Sequence, residues 1–226
     1  MALSGSIDYD LTARQAIQYA LEKINILAKG QTLTVEHSDA AMRELNVMLK
    51  EWMVYSAIWR KKQGSVSLTN ATASYSLTPR PYRILSVRYR NTSSIDLPME
   101  ELTSEEYYDL PDKSSAGTPS TWYFEPQQAT SSLFVWPVKA TVTTETFRIT
   151  YQRYIDDIDS LDNNIDVTPE WLGTIGYNLA ARCADDYGRS GPHIDRIIAR
   201  AGVLFEEMKD HDRPDMVRFV PERRYG

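Results

Sequence analysis

The sequence has little cysteine and little histidine, and each shortage excludes a kind of site. Cys183 is the single cysteine among 226 residues, so no internal disulfide can form, which suits a reducing compartment. The three histidines lie far apart, and neither paired cysteines nor an H-E-x-x-H motif accompanies them. A zinc site is therefore not expected. We predict no metal and no other cofactor.

Long apolar runs and an excess of positive charge are also missing. No apolar stretch is long enough to cross a bilayer, and the first ten residues lack the regions of a signal peptide. The chain has 25 Lys and Arg against 31 Asp and Glu, a net charge of −6. Because phosphate binding needs a positive field, a general nucleic-acid binder is disfavoured. An acidic surface past which DNA slides is compatible with this charge.

No recognised catalytic motif occurs, since G-x-S-x-G and the phosphate-binding G-x-x-x-x-G-K-[ST] loop are both missing. The aspartate-rich stretch 156–166 lacks the central Gly and the final Glu of an EF-hand, so it predicts a solvated loop rather than a calcium site. Two alternatives stay open. Carboxylates are numerous enough to supply a hydrolytic pair, and Trp122 with Trp136 could stack on sugars, although such strands more often form core.

Helical periodicity fills the N-terminal part of the chain. Thr12 begins a capping box, and the apolar stripe that follows is expected to end at Gly30. A second helix begins near Ser38, or one turn earlier at a Thr34 cap, and ends near residues 59–62. Both helices carry one apolar face, which must be buried against another element.

Helical periodicity returns in the C-terminal part. A third helix opens at Thr168, with a proline at its first position. A fourth helix has the clearest apolar stripe of the chain: Ile194, Ile197, Ile198, Ala201, Leu204, Phe205 and Met208.

Between the helical ends, the period of the apolar residues changes from 3.6 to 2 at Gly64. Turn-forming residues separate five to seven predicted strands, and Thr103 caps one short helix. Alternating apolar residues mark the strands: Val66, Leu68, Tyr75, Leu77, Leu85, Val87, Tyr89, Leu133, Val135, Phe147, Ile149 and Tyr151.

These patterns predict an α+β fold, in which a four-helix bundle carries an inserted antiparallel β domain, a small sandwich or barrel. Residues 1–63 and 167–210 form the bundle and residues 64–155 the insertion. Residues 156–166 form an acidic loop, and residues 211–226 an extended C-terminal arm.

The arm is too short to form a core of its own, and Pro214 and Pro221 block a helix there. It either frays or packs on its own bundle, as termini often do, or it docks on a partner. The candidate docking residues are apolar or basic: Arg213, Met216, Arg218, Phe219, Val220, Arg223, Arg224 and Tyr225.

Three groups of residues follow one another in an order known from one protein family. They are Ala16–Ile24 with Leu33–Glu36 and Leu45–Trp52; Leu97–Met99 with Tyr107–Tyr108, Gly117–Phe124 and Val135–Pro137; and Asn178–Tyr187. In this order the chain resembles head-to-tail adaptor proteins of short-tailed bacteriophages, the tail tubular protein A-like or DNA-stabilisation tail accessory factors. The groups match that family's N-terminal hairpin, β insertion and third bundle helix.

The resemblance implies a structural virion protein of the tail or neck, which is assembled in the host cytoplasm. It also implies that the protein is not an enzyme. It implies a head-to-tail connector, a dodecameric ring that joins the portal protein to the tail tube or nozzle, with a tail fibre or spike as a further candidate partner. The ring would extend the DNA channel without sequence-specific contacts and retain the packaged DNA until DNA ejection. Residues 212–225 would correspond to the portal-docking arm. The alternatives are a peptidoglycan hydrolase or a glycan-binding tail module.

Overall fold

In the computed structural model of the chain, residue 5 and residues 9–54, 61–128 and 130–211 are described. The chain divides into a helical unit, Met1–Ile58 with Ile155–Gly226, and a β unit, Trp59–Tyr154. Five α-helices occur in the described ranges: α1 Ala13–Lys23, α2 Val35–Val54, α3 Ser104–Tyr108, α4 Leu172–Asp186 and α5 Pro192–His211. Two β-sheets accompany them, so the predicted α+β class is confirmed. Among these described helices, none combines the length and the apolar character that a bilayer crossing requires.

Helix α4 is the element that the rest of the helical unit shares. It packs against α1, α2 and α5, and a short 3-10 turn, Pro169–Trp171, precedes it. The buried apolar side chains of these helices form the core: Ala13, Ala16, Ile17, Ala20, Leu21, Ala41, Leu45, Met48, Leu49, Trp52, Met53, Trp171, Leu172, Ile175, Leu179, Ala180, Cys183, Ala184, Ile194, Ile197 and Ala201. Cys183 is thus a buried core residue, and burial raises the pKa of its thiol to about 12.

The starts of α1 and α2 follow from their caps. The Thr12 hydroxyl accepts the Gln15 backbone N–H at 3.3 Å, and the Gln15 side chain accepts the Thr12 N–H at 3.0 Å, which completes the predicted capping box. Helix α2 begins at Val35, directly after Thr34, so the earlier of its two predicted starts is observed.

Helix α1 ends earlier than predicted. Its last residue is Lys23, because Asn25 adopts a left-handed backbone with a φ of 55°. The N–H of Ile26 then donates to the carbonyl of Leu21 at 3.0 Å, as in a Schellman ending. The prediction that Gly30 ends this helix is wrong, since asparagine also tolerates the left-handed conformation and occurs first.

Helix α5 contains the predicted stripe only in part. Ile194, Ile197 and Ala201 are buried, but Ile198 is 51% exposed. Each residue turns the helix by roughly 100°, so the neighbour of buried Ile197 points away from the core. Including Ile198 in the buried stripe was therefore wrong. It is an exposed apolar side chain, like Val203 on the same helix.

The described residues of the β unit form eight strands, more than the five to seven predicted. They are β1 Lys61–Ser67, β2 Ser74–Leu77, β3 Pro81–Arg90, β4 Asp96–Pro98, β5 Glu100–Glu101, β6 Thr121–Glu125, β7 Ser131–Trp136 and β8 Thr146–Arg153. The first sheet has the order β1-β8-β3-β4 and the second β2-β7-β6-β5. Because β1 begins at residue 61, α2 does not reach its predicted limit at residue 62; residues 55–60 lie outside the described ranges.

One strand pair departs from the predicted antiparallel arrangement. Strands β5 and β6 are parallel, because the chain leaves β5 through α3 and returns in the same direction. Helix α3 itself is the short helix predicted after Thr103, and both bonds of its capping box are present.

Both sheets contribute to one hydrophobic core. Its buried members from the two sheets are Ile84, Val87, Tyr89, Phe147, Ile149 and Tyr151, and Tyr75, Leu77, Trp122, Leu133 and Val135. A register shift between Ile84 and Ser86 places Ile84 inside and leaves Leu85 half-buried, so Leu85 was wrongly predicted to face inward.

A buried carboxylate holds the turn before β8. The Glu145 side chain accepts the backbone N–H groups of Thr143 and Thr144 at 2.7 and 3.1 Å, and the Tyr89 hydroxyl lies 3.4 Å away. Lys139 Nζ is 3.7 Å from the same carboxylate. The bonds from Thr143 and the neighbouring backbone lower the pKa of Glu145 from 4.5 to about 2.

We expect Glu145 to stabilise the β unit in a pH-dependent way. A lowered folded-state pKa gives a contribution that is present above the unfolded pKa of about 4.5 and lost as the pH falls towards about 2. The difference in unfolding free energy between wild type and Glu145→Gln, from urea titrations, should therefore shrink over that window. The same difference for Glu101→Gln, an exposed carboxylate on β5, is the control; equal pH dependence of the two differences would contradict the assignment.

Helices α1 and α4 approach most closely at Gly176, where an added Cβ would lie 2.3 Å from the Tyr19 ring. That ring also meets Tyr177 edge-on and lies 4.3 Å below the Lys23 ammonium, so it does not turn away without loss. A Cβ at Gly173, on the same helix, would meet nothing within 4 Å.

We therefore expect Gly176→Ala and Gly173→Ala to have opposite effects. Overpacking costs about 1–3 kcal/mol, whereas an unhindered Gly-to-Ala change in a helix gains up to about 1 kcal/mol. Urea unfolding should place Gly176→Ala below wild type and Gly173→Ala at or above it. Adding Tyr19→Ala should reduce the cost of Gly176→Ala, and no such recovery would mean that the close approach is not responsible.

Candidate functional site

The residues predicted to dock on the portal lie outside the described residues. They are Arg213, Met216, Arg218, Phe219, Val220, Arg223, Arg224 and Tyr225, and their role stays a prediction. The candidate surfaces below belong to the described ranges.

Three arginines and one aspartate gather on the outer face of the first sheet. Arg88 and Arg90 alternate along β3 with buried residues, so both point away from the core. The register places Arg88 directly opposite Arg148 of β8, and Arg90 opposite Asp96 of β4. We call Arg88, Arg90, Arg148 and Asp96 the arginine site. It carries a formal charge of +2.

The arginine site is partly ordered by its own contacts. Arg90 Nε and Nη2 donate to the two Asp96 carboxylate oxygens at 2.6 and 2.8 Å, a bidentate pair. The bond from Arg90 lowers the pKa of Asp96, and the charges of Arg88 and Arg148 act in the same direction. Arg88 Nη2 also donates to the Thr150 hydroxyl at 3.3 Å.

Two donors of the arginine site are left without acceptors. The Nε atoms of Arg88 and Arg148 are buried and have no hydrogen-bond partner within the described ranges. Both arginines line a cavity of about 300 Å³, together with Gln63, Gly64 and Ser65 of β1. Like charges directly opposite each other destabilise a strand pair. The geometry therefore suits an oxyanion, which a guanidinium group can bind with two donors.

The two units differ strongly in charge. The β unit contains eleven Lys and Arg against nine Asp and Glu, a net charge of +2. The helical unit contains fourteen against twenty-two, a net charge of −8. The acidity of the whole chain therefore comes from the helical unit, and the arginine site belongs to the cationic one.

The acidic segment 156–166 is fixed to the helical unit rather than free in solvent. Ile158 and Ile165 within the segment are buried, and so is Ile155 directly before it. The Asn46 side chain brackets Ile158, donating to its carbonyl and accepting its N–H, both at 3.0 Å. The buried isoleucines escaped prediction because they are spaced too irregularly for a helix or a strand.

Two aspartates of the acidic segment form ion pairs within the helical unit. Asp157 pairs with Lys50 at 2.6 Å and Asp162 with Arg14 at 3.1 Å. Asp159 is exposed and makes no ion pair inside the described ranges. Nor do those ranges contain a group of three His, Cys, Asp or Glu that could hold a metal ion.

An apolar groove adjoins the acidic segment. Val47 and Val54 of α2 line a cavity of about 620 Å³, whose rim includes Asp157 and Asp159. Val54 is 67% exposed, although it is a large aliphatic side chain on a helix. Exposed aliphatic residues beside charged ones are typical of the surfaces through which proteins associate.

The tryptophans considered for sugar stacking are not presented as a pair of free rings. Trp122 is 2% exposed and belongs to the β-unit core, as favoured from the sequence. The Trp136 indole N–H donates to the Asp112 carbonyl at 3.0 Å, and its side chain is half-buried. On the outer face of the second sheet, the Tyr123 ring stacks on Phe134, and the Tyr107 ring lies against Phe134 at an angle of 41°.

The arginine site was not predicted, although its signal is present in the sequence. Arg88 and Arg90 alternate with the apolar residues Val87 and Tyr89. In a half-buried strand, the polar residues of such an alternation face the solvent. Strand alternation predicts their face, but the pairing of β3 with β8, which brings in Arg148, is a long-range contact.

Comparison with known proteins identifies the class of the chain. A family model described as "SU10 adaptor protein" matches residues 11–221, which is nearly the whole chain. The protein is therefore an adaptor protein, and this match agrees with the predicted resemblance to the head-to-tail adaptors of bacteriophages. The chain belongs to the SU10 adaptor protein family.

Two solved structures are also similar to the chain. One is a chain of the "Neck of empty GTA particle computed with C6 symmetry", 11% identical, with 95% of this chain and 98% of that chain covered and a TM-score of 0.31. The other is a chain of the "Virion of native gene transfer agent (GTA) particle", 13% identical, with coverages of 85% and 93% and a TM-score of 0.30. Among curated proteins, none matches the chain.

We expect the opposed arginines to cost the isolated protein stability. Arg148→Thr removes a like-charge pair with Arg88 and places a β-branched residue in β8, so the unfolding free energy should rise by about 0.2–1 kcal/mol. Chemical unfolding of the pure protein measures this. The control, Arg83→Thr, changes an exposed arginine on β3 that faces no arginine in the register. Equal effects of the two changes would remove the argument for a strained pair.

Proposed function

We propose that the protein is a structural connector of the virion neck, which forms a ring between the portal protein and the tail tube or nozzle. The match of the adaptor family model to residues 11–221 carries this proposal. As a connector, the protein binds and positions other virion components and catalyses no reaction. A tail fibre or spike is a further candidate partner.

A ring of identical copies needs two different faces on each copy. The described surfaces supply several: the groove at Val47 and Val54, the exposed Ile198 and Val203 of α5, and the arginine site. The family resemblance implies twelve copies. We infer that the four long helices form the predicted bundle and that the two sheets, which share one core, form the predicted sandwich.

We propose the predicted domain arrangement with one change: residues 61–63, predicted to lie in the bundle, belong to strand β1 of the β unit. The helical unit supplies the bundle, with residues 167–210 as its C-terminal part, the β unit supplies the insertion, residues 156–166 form the acidic loop and residues 211–226 the arm. Each of these parts has its own task in the connector: the bundle and insertion build the ring wall, and the arm reaches the portal.

The charge of the chain suits a wall around DNA. With a net charge of −6, the protein repels the phosphate backbone rather than binding it, so DNA moves through the lumen without adhering. In this proposal the ring extends the DNA channel and helps to retain the packaged DNA until DNA ejection.

We expect deletion of residues 212–226 to abolish portal attachment and leave the fold intact. The arm adds apolar and basic residues that a short segment cannot bury alone, and twelve such arms gain avidity from their effective concentration around a ring. Co-sedimentation of the truncated protein with portal rings of the same virus measures attachment, and circular dichroism measures folding.

A finer pair of variants separates the apolar contacts from the length of the arm. Phe219→Ser with Val220→Ser should weaken attachment strongly, whereas Asp215→Asn should change it little. Undiminished co-sedimentation of the truncated protein would show that the portal is bound through another surface.

A further inference from the structure

We propose that the arginine site binds the Asp159 carboxylate of a second copy of the chain. The contact would join the β unit of one copy to the helical unit of the next. This inference rests on the proposed function, because a ring supplies neighbouring copies in a fixed orientation.

The donor side of the contact is already assembled. Arg90 is held by Asp96 at 2.6 Å, so it keeps its position without an external partner. Arg88 and Arg148 lie opposite each other, and the buried Nε atom of each has no acceptor in the described ranges. An incoming carboxylate that enters the cavity lined by Arg88 and Arg148 would pair with their guanidinium groups and relieve the repulsion between them.

The acceptor side is presented on a fixed support. Ile158, next to Asp159 in the chain, is buried and is bonded to Asn46 through both of its backbone groups. Asp157 and Asp162 are occupied by Lys50 and Arg14. Asp159 is exposed and makes no ion pair with a cation of the described ranges.

The size and charge of the site favour one carboxylate over duplex DNA. Arg90 is already paired with Asp96, so the guanidinium groups of Arg88 and Arg148 are the ones that face an incoming anion. The cavity of about 300 Å³ accepts one side chain rather than a track of phosphates. The net charges of the two units, +2 and −8, attract each other between copies.

A charge exchange between two full-length variants tests the contact. Variant one carries Arg88→Glu with Arg148→Glu, and variant two carries Asp159→Arg. Each variant alone brings like charges together at every contact, so lateral association should weaken about tenfold or more. An equal mixture restores opposite charges at contacts between unlike copies, so association should recover. Arg83→Glu, which changes another arginine of β3, should behave as wild type.

Two measurements separate this inference from the proposed function. Sedimentation velocity at high protein concentration and low salt follows association between copies, and native mass spectrometry of portal rings counts the copies attached. If association between copies is lost in each variant and recovered in the mixture, the contact is supported by either measurement. This holds even where the protein does not bind the portal. Attachment that completes normal rings with every variant overturns the contact and leaves the connector function standing.

The remaining outcomes also decide. A wild-type protein that neither self-associates nor forms rings on portals would overturn the contact. A variant one that keeps its lateral association but loses affinity for a duplex DNA oligonucleotide would assign the arginine site to phosphate instead. Circular dichroism of each variant establishes folding; should variant one not fold, Arg148→Glu alone replaces it in the mixture.

Discussion

The constraint on which the β unit depends is the alternation of side chains along two paired strands. Phe147 and Ile149 of β8, with Val87 and Tyr89 of β3, must face inward because both sheets bury their apolar residues in one core. The residues between them therefore lie on the outer face of the sheet. In this way a core requirement, rather than any local feature, collects Arg88 and Arg148 at one place and sets them against each other. A one-residue shift in the register of these strands would turn the arginines towards the core. The arginine site therefore forms only in the observed register.

Features of the fold that depend on residues close together in the sequence could be predicted, and features that depend on distant residues could not. The capping boxes at Thr12 and Thr103 are local, and both were predicted correctly. The end of α1 was not, because Asn25 competes with Gly30 for the left-handed position and periodicity alone does not rank them. The shift at Leu85 and the parallel pairing of β5 with β6 depend on neighbouring strands. The arginine site depends on the pairing of β3 with β8, whose facing residues lie far apart in the chain, so strand alternation alone did not reveal it.

The separation of charge between the units gives the overall acidity a different meaning. A net charge of −6, taken alone, indicates a protein that avoids nucleic acid. Divided by unit, the same residues give a strongly acidic helical part and a slightly basic β part. A chain of this kind repels DNA as a whole and still attracts its own copies, provided that unlike units meet.

A head-to-tail contact between unlike units also explains why the acidic segment is so firmly fixed. An exposed carboxylate on a free loop would lose conformational entropy when it entered a binding site, and this loss would offset much of the electrostatic gain. The buried side chains of Ile155, Ile158 and Ile165 hold the backbone on both sides of Asp159. The segment therefore has less conformational entropy to lose when Asp159 binds. The ion pairs of Asp157 with Lys50 and of Asp162 with Arg14 act in the same direction, since they hold the segment on both sides of Asp159. A contact built from one prepared carboxylate and one prepared set of donors is weak by itself, and repetition around a closed ring makes it sufficient, because no copy can leave without breaking two contacts at once.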